Sequence, residues 1–264
     1  MNQRYRDQVV WITGASSGIG EALAVAWSRE GARLVLSARN AAELARVRQT
    51  CAHPERHVLR PLDLVDETAI QAAAADVLRE LGQVDVLVHS GGVSQRALVA
   101  DTAVTTDRAI MEVNYFGTIA LTKAVLPSML ARKSGHLVPI SSVIGHVGIP
   151  MRSAYAASKH ALHGFFDALR AEYAKDGIRV TIVCPGYIRT KVSENALRGD
   201  GSKYGTTDDT HKDAMRPEVA APKILDGVAK GKLEVRVGGK EIHAILLKRL
   251  LPGVVARVVR LKNP

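Results

Sequence analysis

The chain has 264 residues, 47% of them hydrophobic, enough apolar material for one large α/β domain in preference to two small ones. A formal charge of +10 points toward nucleic acid, an anionic membrane face or an anionic ligand, but the basic residues are scattered until the last part of the chain. Only 4% of residues are aromatic, which argues against a stacking platform for single strands, so no nucleic-acid partner is expected. Short runs rich in Val, Ile and Leu at 8–13, 33–37, 57–60, 84–88, 137–141, 178–183 and 233–237 predict strands buried on both faces. Ala- and Leu-rich stretches with helical spacing at 18–30, 41–50, 66–81, 105–132, 152–175 and 217–230 are long enough to cross over between parallel strands. This alternation predicts an α/β fold, a doubly wound, Rossmann-like parallel sheet in three α/β/α layers, as a single domain over residues 1–264. Gly31, Gly82 and Gly177 fall where left-handed helix caps fit. The polar stretch 190–216, rich in Gly and Thr, breaks the rhythm and predicts a mobile loop beside the ligand.

No stretch before residue 230 is apolar for long enough to span a bilayer, and MNQRYRDQVVWITG enters a strand-like run without a signal pattern, so a cytoplasmic setting is expected. Cys51 and Cys184 are too few for a disulfide framework and lack metal-ligand spacing, so no metal site is expected.

Directly after the first strand comes Thr13-Gly14-Ala15-Ser16-Ser17-Gly18-Ile19-Gly20, which opens a helix. Glycines here let the backbone turn sharply and approach a pyrophosphate, and the helix N-terminus offers unpaired N–H groups, so a dinucleotide is the expected ligand. The spacing departs from the G-x-G-x-x-G fingerprint, and alone the turn is equally a tight strand-to-helix connection. The second strand ends in Ser37-Ala38-Arg39-Asn40, with no carboxylate for a ribose 2′-hydroxyl but with an Arg39 fork suited to a 2′-phosphate, which favours NADP(H) over NAD(H). Asp63, at the end of the third strand, either accepts from an adenine amino group or caps the following helix.

In Ser153-Ala154-Tyr155-Ala156-Ala157-Ser158-Lys159, Tyr155 and Lys159 stand four apart on one helical face, after a strand ending in Ile140-Ser141-Ser142. A nearby ammonium stabilises a phenolate and makes the tyrosine a usable proton donor and acceptor.

With the glycine turn, Asn114, Ser142 and the Tyr/Lys pair in order, the sequence resembles the classical short-chain dehydrogenase/reductase family from about Asp7 to Val237. The resemblance implies a catalytic set of Asn114, Ser142, Tyr155 and Lys159. Tyr155 protonates the carbonyl oxygen and Ser142 hydrogen-bonds it; Lys159 lowers the tyrosine pKa and holds the nicotinamide ribose; Asn114 anchors a relay water. Pro185-Gly186-Tyr187-Ile188-Arg189-Thr190 resembles the segment that orients the carboxamide, through the backbone near Ile188 and the Thr190 hydroxyl. Where the family keeps N-N-A-G, this chain has His89-Ser90-Gly91-Gly92: Ser90 and Gly91 would lie beside the cofactor, and His89 reads as structural.

The likeness is strongest to members acting on lipid-like carbonyls such as steroids or retinoids, with Ile144, Val147, Ile149, Met151 and Tyr187 either an apolar pocket wall beside Ser142 and Tyr155 or part of the core. The basic, apolar segment 241–264 either lies on an anionic membrane surface, covers the cleft or packs on a partner subunit. A homodimer or homotetramer through the helices around 105–132 and 152–175 is implied by the resemblance. Two alternatives stand beside an NADP(H)-dependent carbonyl reductase: a 3-oxoacyl-thioester reductase of the same family, and a non-catalytic NADP(H)-binding regulatory protein.

Overall fold

The computed structural model describes residues 3–206 and 214–261. Six parallel strands form one sheet in the order β3-β2-β1-β4-β5-β6: β1 (Val9–Thr13), β2 (Arg33–Ser37), β3 (Val58–Leu59), β4 (Val86–His89), β5 (Gly135–Pro139) and β6 (Ile178–Val180). Most of their side chains are apolar on both faces because both faces are covered. Val10 and Ile12 of β1 point into one core with Leu34 and Leu36, while Val9, Trp11 and Val35 point into the other. Helices α1 (Gly18–Arg29) and α2 (Ala41–Thr50) cover the first face; α3 (Glu67–Leu81) and the long pair described next cover the second.

The helix expected over 105–132 is one rod with a defect: α4 (Val104–Met111) runs through a π-helical turn, Glu112–Phe116, into α5 (Gly117–Ala131). Such a turn inserts a residue and re-aims its side chains, and Asn114 lies in it. After α6 (Ser153–Glu172), the strand expected over 178–183 divides at Thr181. There pairing passes from β5 to a parallel ribbon of β7 (Ile182–Pro185) and β8 (Glu234–Val237), and a Ile140–Val183 bridge joins this ribbon to the end of β5. Between β7 and β8, α7 (Pro217–Ala229) packs on α1 in the first layer. Gly82 caps α3 with φ 77°, whereas Gly177 is no cap: α6 ends at Glu172, and Gly177 turns the chain into β6 against the Lys133 carbonyl.

The loop expected over 190–216 is docked in its first part. Leu197 accepts from Arg96 N at 2.8 Å and donates to Ser94 O at 2.9 Å, and Ser193 and Ala196 are fully buried. Residues 207–213 of that loop lie outside the described residues. Two short helices, α8 (Ala244–Leu250) and α9 (Pro252–Leu261), complete the chain as described. No helix of the described residues is long and apolar enough to cross a membrane.

Candidate active site

A cleft of about 850 Å³ opens along the C-terminal edge of the sheet, where the strand order reverses between β1 and β4. One end is built by the glycine turn. Gly14 has φ 65°, and a Cβ there would fall 2.6 Å from Gly91 N; a Cβ on Gly20 would fall 2.2 Å from Gly14 O. The turn therefore folds back on itself and against the Ser90–Gly91 backbone, which leaves Ser16, Ser17, Gly18 and Ile19 facing the cleft. Gly20→Ala is expected to destabilise the protein by about 1–3 kcal/mol through this backbone overlap, read as a lowered thermal midpoint. Ser17 makes no side-chain cap, so the amino end of α1 presents its N–H groups to the cleft.

Arg39 lines the same end, exposed, with no ion pair among the described residues. Asp63 also lines it; the cap of α3 is supplied instead by Asp66, which accepts from Ala69 N at 2.9 Å. Ser90 lines the cleft through a side chain that makes no hydrogen bond among the described residues, in keeping with the short replacement read from the sequence. His89 is structural as expected: Nε2 lies 2.9 Å from Thr122 Oγ1, and burial pushes its pKa down to about 3. Pro185, Gly186, Ile188 and Thr190 form the facing wall, fixed by Gly186 N to Val237 O at 2.8 Å. This wall and the uncapped amino end of α1 fit a dinucleotide.

At the middle of the cleft, Ser142 and Tyr155 face one another. Ser142 accepts from Ile144 N at 3.2 Å, so it caps the short turn Val143–Gly145 while its hydroxyl favours the Tyr155 phenolate. Burial nonetheless raises the Tyr155 pKa above its ordinary value, with Ser142, Arg152 and Arg96 opposing. Lys159 is held just past the end of β5 in this geometry. Its ammonium donates to Ile140 O at 2.8 Å, lies 5.7 Å from the Tyr155 ring centroid, and is itself pushed down to about 8 by burial. The cations that favour the phenolate in this geometry are arginines that sequence reasoning missed.

Arg96 is buried, donating to Ser94 Oγ at 2.9 Å and Ser193 Oγ at 2.8 Å, so the docked loop helps to place it. Beside it, Gln95 Oε1 accepts from Ala154 N at 2.8 Å and caps α6, the helix that carries Tyr155 and Lys159. Asn114 is fully buried: Nδ2 donates to Val93 O and Ser158 Oγ, both at 2.9 Å, and Oδ1 accepts from Val93 N at 2.8 Å. Its amide ties the rod to the loop after β4 and to α6, and both amide protons are spent on protein partners.

Ile144, Val147, Ile149 and Tyr187 line the cleft with Ser142 and Tyr155; Met151 is not among the lining residues, and its carbonyl accepts from Ala97 N with φ at 63°. Ala244, Leu247, Val255, Val258 and Val259 complete the lining, so the C-terminal segment walls the cleft, one of the three roles read for it. Glu241 anchors the segment by accepting from Tyr187 N at 2.8 Å and Gly239 N at 2.9 Å.

Residues 8–200 match the profile of the short chain dehydrogenase family. The chain is 45% identical to "Dehydrogenase/reductase SDR family protein 7-like" of Drosophila melanogaster, over 99% of this chain and 85% of that protein. It is 44% identical to "Dehydrogenase/reductase SDR family member 7B" of Bos taurus, over 98% of this chain and 82% of that protein. A short-chain dehydrogenase from Streptomyces avermitilis superposes with a TM-score of 0.83 at 34% identity, covering 96% of this chain and 95% of the other. ElxO with NADP bound superposes with a TM-score of 0.67 at 28% identity, covering 70% of this chain and 75% of its own. With these matches spanning the glycine turn, the Tyr155/Lys159 helix and the sheet edge between them, the chain belongs to the short-chain dehydrogenase/reductase family of nicotinamide-dependent oxidoreductases.

Proposed function

We propose that this protein is an NADP(H)-dependent oxidoreductase acting on a ketone, aldehyde or secondary alcohol with apolar, lipid-like substituents. The observation that carries the reading is one continuous cleft with three zones: the open amino end of α1 beside Arg39, the facing Ser142 and Tyr155, and an apolar end. When bound, the nicotinamide supplies or accepts the hydride.

The chain's own groups do the rest. Gly14, Ser16, Ser17, Gly18, Ile19 and Gly20 hold the pyrophosphate on backbone N–H groups, and Arg39 pairs with the 2′-phosphate. Asp63 takes the adenine amino group, Ser90 and Gly91 flank the ribose, and Lys159 holds its hydroxyls. Pro185, Gly186, Ile188 and Thr190 orient the carboxamide. Ser142 donates to the carbonyl oxygen as charge develops there, and Tyr155 gives that oxygen its proton in reduction or removes it in oxidation. Asn114 holds α6 and the end of β4 in register, and its backbone and remaining Oδ1 lone pair are what it can offer a relay water.

The first test is hydride transfer by the purified protein, following NADPH and NADH absorbance with steroid, retinoid and small aromatic carbonyls. Turnover of NADPH in preference to NADH on bulky apolar carbonyls supports the reading. Turnover only on an acyl thioester would replace it with the thioester reductase, and binding without turnover on either would replace it with the regulatory protein.

The apolar end makes its own prediction. Leu247→Ala with Val259→Ala is expected to raise KM for large apolar carbonyls about tenfold and to leave small aldehydes unchanged, since the lost contacts amount to about 1.5 kcal/mol. An equal effect on both substrate sizes would place the two side chains outside the substrate's reach.

The same two helices also favour peripheral membrane contact, because Leu246, Leu250, Leu251, Val254 and Leu261 are exposed among Lys248, Arg249, Arg257 and Arg260. Co-sedimentation with anionic vesicles, compared with a chain ending at Glu241, tests that contact: equal partitioning would remove it. Assembly through α4–α5 and α6 as a dimer or tetramer is checked by light scattering.

A further inference from the structure

Behind the catalytic serine, on the side away from the cleft, the fold gathers four ligand-bearing side chains that are far apart in the chain. His146 ends the turn after β5, His163 lies one helical turn beyond Lys159 on α6, Cys184 sits in β7 and Glu234 opens β8. Cys184 Sγ is 3.6 Å from His146 Nε2 and 3.9 Å from His163 Nε2, and His146 Nε2 is 3.0 Å from Glu234 Oε2. The two imidazole rings are 4.2 Å apart, centroid to centroid.

His146, His163 and Cys184 each bring one ligand atom within 4.8 Å of the others, and Glu234 Oε2 stands beside this trio through His146. With Zn–S of about 2.3 Å and Zn–N or Zn–O of about 2.0–2.1 Å, a tetrahedron has S···N edges of roughly 3.6 Å and N···O edges of roughly 3.3 Å. The second sphere is also present. Arg236 Nε donates to Glu234 Oε1 at 2.5 Å, which turns Oε2 toward His146. Ser141 Oγ, 2.9 Å from His163 Nε2, has a second acceptor in Lys159 O at 3.3 Å, so it can release the imidazole nitrogen without losing its own bond. A separate cavity of about 500 Å³, lined by His146, His163 and Glu234, gives an ion access from solvent.

We propose that His146, His163, Cys184 and Glu234 form a closed structural site for a zinc-class divalent cation, which pins β7, β8, α6 and the turn after β5 beside the active site. Binding replaces the Cys184 S–H bond by an S–metal bond and releases that proton to solvent, while the proton that His146 Nε2 shares with Glu234 passes through solvent to Nδ1 as Nε2 takes the metal. Thiolate and carboxylate together then offset the two positive charges, with both imidazoles neutral. Once Glu234 Oε2 swings in from His146, four protein ligands leave no open position, so the role is structural and the proton chemistry stays with Tyr155.

The test uses the full-length chain without a histidine tag, stripped with chelator, loaded with Zn²⁺ or Co²⁺ alone and freed of excess metal by gel filtration. About one equivalent of metal is expected to stay bound, and zinc should raise the thermal midpoint. The cobalt form should show a thiolate-to-metal charge-transfer band with the visible bands of a tetrahedral ion. Cys184→Ser should abolish the charge-transfer band, and His163→Gln and His146→Gln should each lose retained zinc and the thermal shift while keeping native circular dichroism. His146 is only half-buried, so its variant supplies the reading if the others fold poorly. Cobalt bound without a sulfur band, zinc not retained through gel filtration, or full retention by folded ligand variants would each overturn the proposal.

Discussion

Tyr155→Phe is expected to lower kcat for carbonyl reduction by about 10²–10⁴-fold while NADPH still binds, because the change removes one proton donor and almost no volume. The phenol is the group in the middle of the cleft that is placed to act on a carbonyl oxygen: Ser142 faces it, and Arg152 and Arg96 favour its anion. Lys159 is placed differently, held on Ile140 O at 2.8 Å. Burial raises the Tyr155 pKa, so the protonated phenol is the populated form through neutral pH. Reduction consumes that form and should hold its rate across neutral pH; oxidation of the alcohol needs the phenolate and should gain rate as pH rises toward the tyrosine pKa. The pair of profiles, with the Phe variant as control, checks both the residue and the sign. A Phe variant that keeps its kcat, or a reduction rate that rises with pH, would remove Tyr155 from the proton step.

The parts of the site that the sequence displays are those set by local spacing. The glycine turn is legible because one strand, one turn and one helix N-terminus are contiguous, and Tyr155 and Lys159 because four residues make one helical face. The central strands β1, β2, β4 and β5 are legible because each alternates apolar side chains into two cores. What escaped is set by contacts across the chain. Arg96 is held by Ser94 and by Ser193 of a loop that, by composition, reads as mobile; an arginine among the small and apolar residues from Gly91 to Leu98 was its only local signal. The direction of the Tyr155 shift depends on burial, and Lys159 is held by the Ile140 carbonyl; neither follows from an i,i+4 spacing. The π-helical turn at Asn114 is invisible to a 3.6-residue period, which sees one long helix. Cys184 looked isolated because metal-ligand spacing is a test of neighbours in sequence, whereas His146 and His163 reach it through the sheet edge and α6.

Arg39→Ala is expected to weaken NADPH binding about tenfold to a hundredfold and to leave NADH unchanged, the loss of one charge-assisted contact worth about 1.5–3 kcal/mol. Two arginines stand near the glycine turn, and their surroundings decide between them. Arg46 reaches Ser16 O at 3.3 Å, but its guanidinium is already held by Glu21 and by Glu43, each at 2.8 Å, so its charge is offset. Arg39 follows β2 directly, faces the cleft and has no carboxylate partner among the described residues. Asn40, next to it, is committed to capping α2 through Glu43 N at 3.2 Å, so the proposed recognition falls to Arg39 at that corner. Because Arg39 is exposed, the discrimination should shrink as salt is raised, whereas a contact sealed from solvent would hold. Fluorescence titration of both cofactors against the native protein and the Ala variant, at low and high ionic strength, measures the difference directly. Equal weakening of NADPH and NADH would mean that Arg39 supports the fold of the turn without reading the phosphate. Unchanged NADPH affinity would leave the 2′-phosphate without a recognising group at the end of β2, and the preference for NADP(H) would fall with it.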